Sequence, residues 1–463
     1  MEITCTIASI LNIQERLRRL WDDVRRSVRF EPQELGALAH MLGKWVLLGG
    51  AVGALAGLAS ALFLISLDWA TRFREAHPAI ILALPVAGVA LGWFYQRYAG
   101  IAAQGNNLII DEIHTHQTPI SIPLRMAPMI LLGTLITHLF GGSAGREGTA
   151  LQMGASLADG LRRALGRWLN VDINRQDRRL MLMAGLSGGF GSVFGTPVAG
   201  FVFGMEVQQI GQMRYEGILP CLIAAVVGDW VTRALGVAHA HYPTIAATGI
   251  EPVLLLKVAA AGVLCGLTSL LFVELTHAIK FLSSGLYLRL LRPVLGGLMV
   301  LALTGLLGTQ DYLGLSLPLI QRSVQGESIH ALAFLLKLVF TAITLGSGFL
   351  GGEVTPLFVI GATLGHSLGR LLGVDPAWMA MLGFVAVFAG ASNTPLACTL
   401  MGLELFGSGS PIYFMLICVI AYLCSGHRGI YITQRIQTAK SDRQDIAVGD
   451  TLQTHANKRR QPP

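Results

Sequence analysis

Charge is scarce in this sequence. Asp, Glu, Lys and Arg make up only 13% of the 463 residues, whereas hydrophobic residues make up 53% and the mean hydropathy is +0.59. A soluble enzyme needs a more polar surface, so this composition indicates a polytopic all-α membrane protein. The 55 glycines fit that class, because small residues let membrane helices approach closely and permit breaks in the backbone.

The sequence also lacks cysteine spacings typical of metal sites or disulfides. Cys5 lies in the first tail, and we expect the remaining thiols to be reduced and buried as small hydrophobic groups. These thiols lie within apolar stretches, at Cys221, Cys265, Cys398, Cys418 and Cys424.

Catalytic motifs are equally sparse. The zinc-protease motif H-E-x-x-H does not occur, and no recognisable motif pairs Ser143 with a general base. We therefore expect no enzyme activity. The pairs His114/His116 and His239/His241 lack a third ligand, so we expect no metal site and no cofactor.

The charges that are present lie mostly in the tails and short connections, and the net charge is +7. This distribution follows the positive-inside rule and predicts that both tails are cytoplasmic. The basic tails have no aromatic-interleaved module, so no nucleic-acid partner is expected. The first ten residues lack a basic start and an A-x-A-like site, so we expect no cleavable signal peptide. About 30 residues follow Tyr431, so we expect no regulatory nucleotide module there.

Apolar segments of uneven length follow residue 42, and several are too short or too interrupted by Gly and Pro to span a membrane as straight helices. Broken helices at membrane depth are tolerated where they line a cavity enclosed by protein, which is typical of secondary transporters. The segments are 44–67, 79–95, 124–140, 180–205, 218–235, 253–275, 293–307, 332–350, 355–371, 378–389, 394–405 and 412–424.

An internal repeat accompanies these segments. The pattern T-P-x-A-x-x-x-x-G-x-E occurs at 196–206 and again at 394–404, and a shorter match joins 154–157 to 361–364. Two similar halves predict a pseudo-symmetric transporter with its site between them. The predicted divisions are a cytoplasmic N-terminal helix or tail, two transmembrane halves and a short cytoplasmic C-terminal tail, at 1–42, 43–237, 238–431 and 432–463.

Glu147 lies in GGSAGREGTA, at the end of a run from 126 to 144 that contains no charged residue. A carboxylate at membrane depth costs about 2.5–3.5 kcal/mol, which favours a cavity, a partner or a protonation role for Glu147. The alternative is a glutamate in an interfacial loop.

Four stretches together resemble the CLC anion channels and transporters: GREG at 145–148, TPVAGFVFGMEV at 196–207, GSGFLGGEVTP at 346–356, and the late Tyr431. The resemblance covers about residues 40–435. It implies two inverted-topology repeats of tilted and broken helices, and a homodimer in the cell inner membrane with one anion pathway per subunit. It further implies that helix N-termini converge on a dehydrated anion and that Glu147 is the gate.

The departures from the family pattern carry further information. Asn106 stands where the family has the central serine of G-S-G-I-P, and Glu353 lies where the family has G-x-F-x-P. Val207 stands where chloride/proton exchangers carry an inner glutamate. These features and Thr149 resemble the fluoride-transporting branch of the family.

That branch implies a proton-coupled fluoride antiporter that exports fluoride from the cytoplasm. Glu147 and Glu353 are then the candidate proton-transfer groups, and an isolated carboxyl such as Glu353, among uncharged residues from 338 to 369, takes up a proton readily. Amide, hydroxyl and backbone N–H donors suit a small, strongly hydrated anion. The alternative is a chloride/proton antiporter or a passive voltage-gated-type chloride channel. The implied anion-binding positions are Asn106, Gly148, Val354, Thr355 and Tyr431.

Simpler interpretations of several residues remain open. Asn106 could cap the helix that follows it, Thr355 could mark an ordinary helix start before Pro356, and Tyr431 could lie at the membrane interface. Arg146 is expected to hold the gating turn. Glu206 and Glu404 are expected to cap or pair within the repeat.

Overall fold

The computed structural model of the protein describes residues 16, 18–21, 23, 32–114, 120–284, 290–441 and 446–460. Cys5 and His116 therefore lie outside the described residues. The chain forms two compact units, Met1–Leu47 and Leu48–Pro463. In the first unit, residues 34–43 are helical and exposed. The described part of the second unit is mostly α-helical, as the composition predicts.

The first half of the chain contains α1 (Pro32–Ala76), α2 (Leu84–Tyr98), α3 (Asn106–His114), α4 (Met126–Leu139), α5 (Glu147–Trp168), α6 (Arg175–Phe194), α7 (Pro197–Glu206) and α8 (Ile218–Ala234). Short 3₁₀ turns occur at Pro78–Ala83, Gly100–Gln104 and Tyr215–Gly217.

The second half contains α9 (Pro252–Ser284), α10 (Leu291–Leu307), α11 (Leu317–Val324), α12 (Ala333–Gly346), α13 (Val354–Leu372), α14 (Pro376–Ser392), α15 (Pro395–Phe406) and α16 (Pro411–Cys424). The tail adds α17 (Leu452–Arg460). Two short strands, β1 (Gln209–Ile210) and β2 (Arg435–Ile436), pair in parallel and join the tail to the loop after α7.

Helix lengths are as uneven as predicted. By length and composition, only four of the described helical stretches could cross a membrane: Glu34–Ala76, Pro78–Tyr98, Tyr215–Ala234 and Pro252–Ser283. The other apolar helices are shorter, so the fold depends on broken helices packed against one another. The cysteines described by the structure are free, and all but the half-buried Cys424 are buried, as expected.

Two elements differ from the predicted segments. The apolar stretch 180–205 is divided, because Gly195 takes a φ of +72° that ends α6 and Pro197 then begins α7. Helix α5 was not among the predicted apolar segments because its second half carries charges, yet its first half is fully buried.

The internal repeat is present in the packing. Helix α5 packs on α6 as α13 packs on α14, and α7 packs on α8 as α15 packs on α16. Helices α7 and α15 also contact each other. The two halves therefore use the same arrangement of helices.

Glu206 and Glu404 cap each other's repeat. The Glu404 carboxylate accepts hydrogen bonds from Val198 N at 2.9 Å and Ala199 N at 2.7 Å, at the start of α7. The Glu206 carboxylate accepts from Leu396 N at 3.0 Å and Ala397 N at 2.8 Å, at the start of α15.

The expectation that these glutamates cap within the repeat is thus confirmed. Because the end of each helix meets the beginning of the other, α7 and α15 are antiparallel and the repeat is inverted.

We expect Glu206→Ala to lower the free energy of unfolding by about 2 kcal/mol, because Glu206 is buried and its loss leaves two N–H groups without an acceptor. Glu404→Ala should cost about 1 kcal/mol, since water can replace the exposed Glu404 carboxylate. Thermal unfolding in detergent measures both effects. Asp68→Ala, which breaks an exposed pair with Arg72, serves as the control and should change the melting temperature little. Equal melting of all three variants would contradict the capping role.

Candidate functional site

The site is built around two glycines. Gly145 N donates to Gly352 O at 2.6 Å and Gly352 N donates to Gly145 O at 2.7 Å, forming a short antiparallel bridge between the two halves. The bridge brings the N-terminus of α5 beside the N-terminus of α13. A side chain at Gly352 would not fit, because its Cβ would lie 2.8 Å from Gly148 N.

Glu147 begins α5, and its carboxylate lies at the start of α13. Its Oε2 accepts from Thr355 N at 2.9 Å and from Arg146 N at 3.1 Å, and its Oε1 accepts from the Thr355 hydroxyl. Arg146 Nε lies 3.4 Å from Oε1. Glu147 is completely buried, so it is not the glutamate of an interfacial loop.

This geometry makes the start of α13 an anion cradle. First-turn N–H groups and the helix dipole favour negative charge there. The Glu147 carboxylate supplies that charge itself, and Arg146, in the turn directly before Glu147, adds a nearby cation.

Asn106 lies beside the same bridge. Its Nδ2 is 3.3 Å from the point where a Cβ on Gly148 would stand, so the structure brings Asn106 and Gly148 together. Asn106 begins α3, but its buried Oδ1 has no hydrogen-bond partner among the described residues. The capping interpretation is therefore wrong, because Oδ1 accepts no first-turn N–H.

Tyr431 lies in the protein interior. It is 2% exposed, its ring meets the edge of Phe203, and no described residue hydrogen-bonds to its hydroxyl. The phenol lies within electrostatic range of both Glu147 and Glu353. Tyr431 is thus a buried tyrosine rather than one exposed at the membrane interface.

Thr433 connects the Tyr431 segment to α3. Its hydroxyl donates to Asn107 O at 3.0 Å. Gln434 Nε2 donates to Val207 O at 2.7 Å and to Ser392 O at 2.8 Å. The chain after Tyr431 is therefore fixed against the ends of three helices. One of these contacts is with the buried Val207, the residue that stands where chloride/proton exchangers carry a glutamate.

Glu353 occupies the cap position of α13, and Val354 is the buried first residue of that helix. The Glu353 side chain is half-buried, and no hydrogen bond to it occurs in the described part of the chain. Lys280 of α9 lies within electrostatic range of the Glu353 carboxyl. The sequence around Glu353 could not reveal this charge, because it comes from another helix.

A cavity of about 20 Å³ adjoins the Glu147 carboxylate. Its polar border is formed by Arg146, Tyr242 and Thr355 besides Glu147, and the remainder is largely aromatic and aliphatic. A space of this size holds about one water-sized particle.

Sequence reasoning missed Lys337, a lysine with no exposed surface in α12. The signal was available, because Lys337 is the single charge in the apolar segment 332–350. Thr149 was noted as a family marker, and its hydroxyl lies 2.7 Å from the Thr134 hydroxyl.

One histidine of each pair lies next to a protein oxygen. His114 Nε2 lies 2.9 Å from Gln208 O, and His239 Nε2 lies 3.4 Å from Asp229 Oδ1. Within the described ranges, no three His, Cys, Asp or Glu side chains are grouped so as to hold a metal.

The family model described as voltage gated chloride channel matches residues 87–426. A relative from Pseudomonas syringae pv. tomato, named chloride/fluoride channel protein, is 47% identical over 435 residues, covering 92% of this chain and 94% of the relative. A crystal structure of a CLC-type fluoride/proton antiporter superposes with a TM-score of 0.80 at 34% identity, covering 88% of this chain and 100% of that one. A slow cyanobacterial Cl⁻/H⁺ antiporter gives a TM-score of 0.69 at 19% identity, over 82% and 94% of the two chains, which supports the fold alone.

Gly352→Ala should disrupt the bridge, because the added Cβ would meet the backbone nitrogens of Gly148 at 2.8 Å and Glu147 at 3.2 Å. We expect anion transport to fall at least about tenfold, since small displacements in a site of this kind are costly. Flux into liposomes measures the effect. Gly305→Ala, in open space on α10, is the matched control and should retain wild-type flux. Wild-type flux in Gly352→Ala would show that the bridge does not shape the site.

Proposed function

The chain belongs to the voltage-gated chloride channel (CLC) family, and from this premise we propose that it is a proton-coupled fluoride antiporter that exports fluoride from the cytoplasm. The single observation that carries the proposal is the Glu147 carboxylate held by Thr355 at the start of α13. A cradle that binds a carboxylate can bind another anion once the carboxylate leaves.

Protonation of Glu147 would allow its side chain to leave the start of α13. A protonated Glu147 loses its charge, so the charge-assisted hydrogen bonds from Thr355 N and the Thr355 hydroxyl weaken. The side chain then leaves the cradle and fluoride takes its donors. Because the cradle holds either the carboxylate or the anion, each anion that enters requires a proton on Glu147.

The proposed anion site consists of neutral donors. Asn106 contributes its amide, Gly148 and Val354 contribute backbone groups near the helix starts, and Thr355 and Tyr431 contribute hydroxyls. The Tyr431 hydroxyl supports this set, since it is buried without a hydrogen-bond partner among the described residues. Several close, hard donors are what a strongly hydrated anion requires in place of water.

Glu353 is the proposed second proton carrier. It is half-buried, and its carboxyl accepts no hydrogen bond from the described residues, so it remains able to exchange a proton. It thereby replaces the inner glutamate whose position is occupied by Val207. Lys280 is the nearby charge that would stabilise Glu353 when ionised.

The proposed setting is a homodimer in the cell inner membrane with both tails in the cytoplasm. The proposed divisions are 1–42, 43–237, 238–431 and 432–463. The inverted packing of α7 and α15 supports the division into halves, because Glu206 and Glu404 fall in different halves. Family membership supports the dimer.

The decisive experiment uses purified protein in liposomes with fluoride or chloride inside. We expect fluoride to leave faster than chloride, and a pH difference to drive fluoride against its own gradient. Chloride pumped equally well would favour the chloride/proton antiporter, and fluoride flux that ignores the pH difference would favour a passive channel.

Glu147→Ala should abolish proton-driven fluoride accumulation while leaving downhill fluoride flux, because the cradle survives without its gate. Glu353→Gln should abolish proton coupling in the same assay, because the amide cannot carry a proton. Glu327→Gln, an exposed glutamate in a loop, is the matched control and should couple normally. Intact coupling in Glu353→Gln would remove Glu353 from the proton route.

A further inference from the structure

Lys337 is a buried cation in the membrane domain. Its Nζ lies 2.8 Å from Gly314 O, 3.2 Å from Tyr312 O, 2.8 Å from Ser316 Oγ and 2.9 Å from Ser143 Oγ. No carboxylate of the described residues lies within 4 Å of it, and its side chain has no exposed surface. The buried Arg74, which packs against Gly314, is a cation too, so it does not neutralise Lys337. An uncompensated charge at such depth is costly, so a function is expected for it.

The surrounding groups fit an ammonium. Tyr312 O and Gly314 O can only accept hydrogen bonds, and the Ser316 hydroxyl lies 3.3 Å from Leu313 O as a donor, which leaves its oxygen to accept from Lys337. With these three acceptors and the Ser143 hydroxyl, Nζ has an oxygen partner for each of the three N–H groups of a charged lysine.

The fold alone does not require this lysine. The offset of 207 residues that relates Gly145 to Gly352 also relates Ile130 of α4 to Lys337 of α12. Ile130 is a buried isoleucine, so the other half packs the same position with an apolar side chain. The threonines one turn further on are alike in both halves, at Thr134/Thr137 and Thr341/Thr344.

Lys337 lies behind the candidate anion site. Ser143 belongs to the turn that leads to Glu147, and its hydroxyl also lies 2.9 Å from the Thr341 hydroxyl. Ser316 directly precedes α11, and Leu317 and Ile320 of α11 border the cavity beside Glu147. The ammonium thus joins the gating turn to one wall of that cavity.

We propose that Lys337 is a positioning residue that supplies a fixed positive charge to the anion site. Lys337 attracts the transported anion without contacting it, so it does not hold the anion too tightly. Its N–H groups are all directed to protein oxygens, so the interaction with the anion is through space. This proposal rests on the proposed anion transport, but not on which anion is carried or on proton coupling.

The test compares charge with hydrogen bonding. Lys337→Met should raise the apparent KM for the transported anion by about tenfold, because removing a unit charge from the protein interior weakens the attraction of the site for an anion. Turnover at saturating anion should change less. Lys337→Arg should restore the KM to within about twofold of wild type. The anion used is whichever one the wild type carries, so failure here is separate from failure of the fluoride assignment.

Two controls keep the charge and remove its contacts. Ser316→Ala deletes one acceptor of Lys337, and Thr341→Val deletes the neighbour of Ser143. Both should leave the KM within about twofold of wild type. If they raise it as much as Lys337→Met does, Lys337 only fastens two loops together and the proposal is overturned.

A second neutral variant keeps the test available if Lys337→Met does not fold. Lys337→Ile, combined with Ser143→Ala and Ser316→Ala, copies the apolar residue of the other half and removes the hydroxyls that would lose their donor. It should show the same rise in KM. An unchanged KM in a folded neutral variant, or failure of both neutral variants to fold, would overturn the proposal.

Discussion

The hydrogen-bonded pair Gly145–Gly352 is the constraint on which the rest of this structure depends. By pairing two backbones that both lack a Cβ, it holds the first turns of α5 and α13 side by side. The partial positive charge of two helix ends is then concentrated where water is excluded. The site binds Glu147 through backbone N–H and hydroxyl groups, with Arg146 at the edge and Lys337 further behind.

The surrounding helices keep those two ends fixed. The repeat duplicates the helix pair behind each terminus, and the reciprocal caps join α7 to α15. On another side, the segment after Tyr431 is fastened by Thr433 and Gln434 to the ends of three helices. A rigid frame of this kind fits the proposed mechanism, in which protonation of one side chain changes what the site holds.

Much of the fold and the site could be predicted from sequence, because helix starts carry local signals. Glu147, Asn106 and Thr355 stand beside glycine or proline at such starts, and a long uncharged run identifies the depth of Glu147. Contacts between distant segments left no such signal. The cage of Lys337 combines residue 143 with residues 312–316, and Lys280 approaches Glu353 from a separate helix.

Helix α5 also escaped prediction, because its buried first half is small and polar rather than apolar. Hydropathy describes contact with lipid, whereas α5 begins inside the protein.

The reciprocal caps have a consequence for biogenesis. Each half of the chain ends a helix with a carboxylate that caps a helix of the other half, and begins a helix whose first N–H groups the other half caps. During synthesis, the Glu206 carboxylate and the first N–H groups of α7 therefore lack these protein partners until residues 394–404 have been made. The final assembly is a docking event between two inserted modules, and a half expressed alone would seek a second copy of itself.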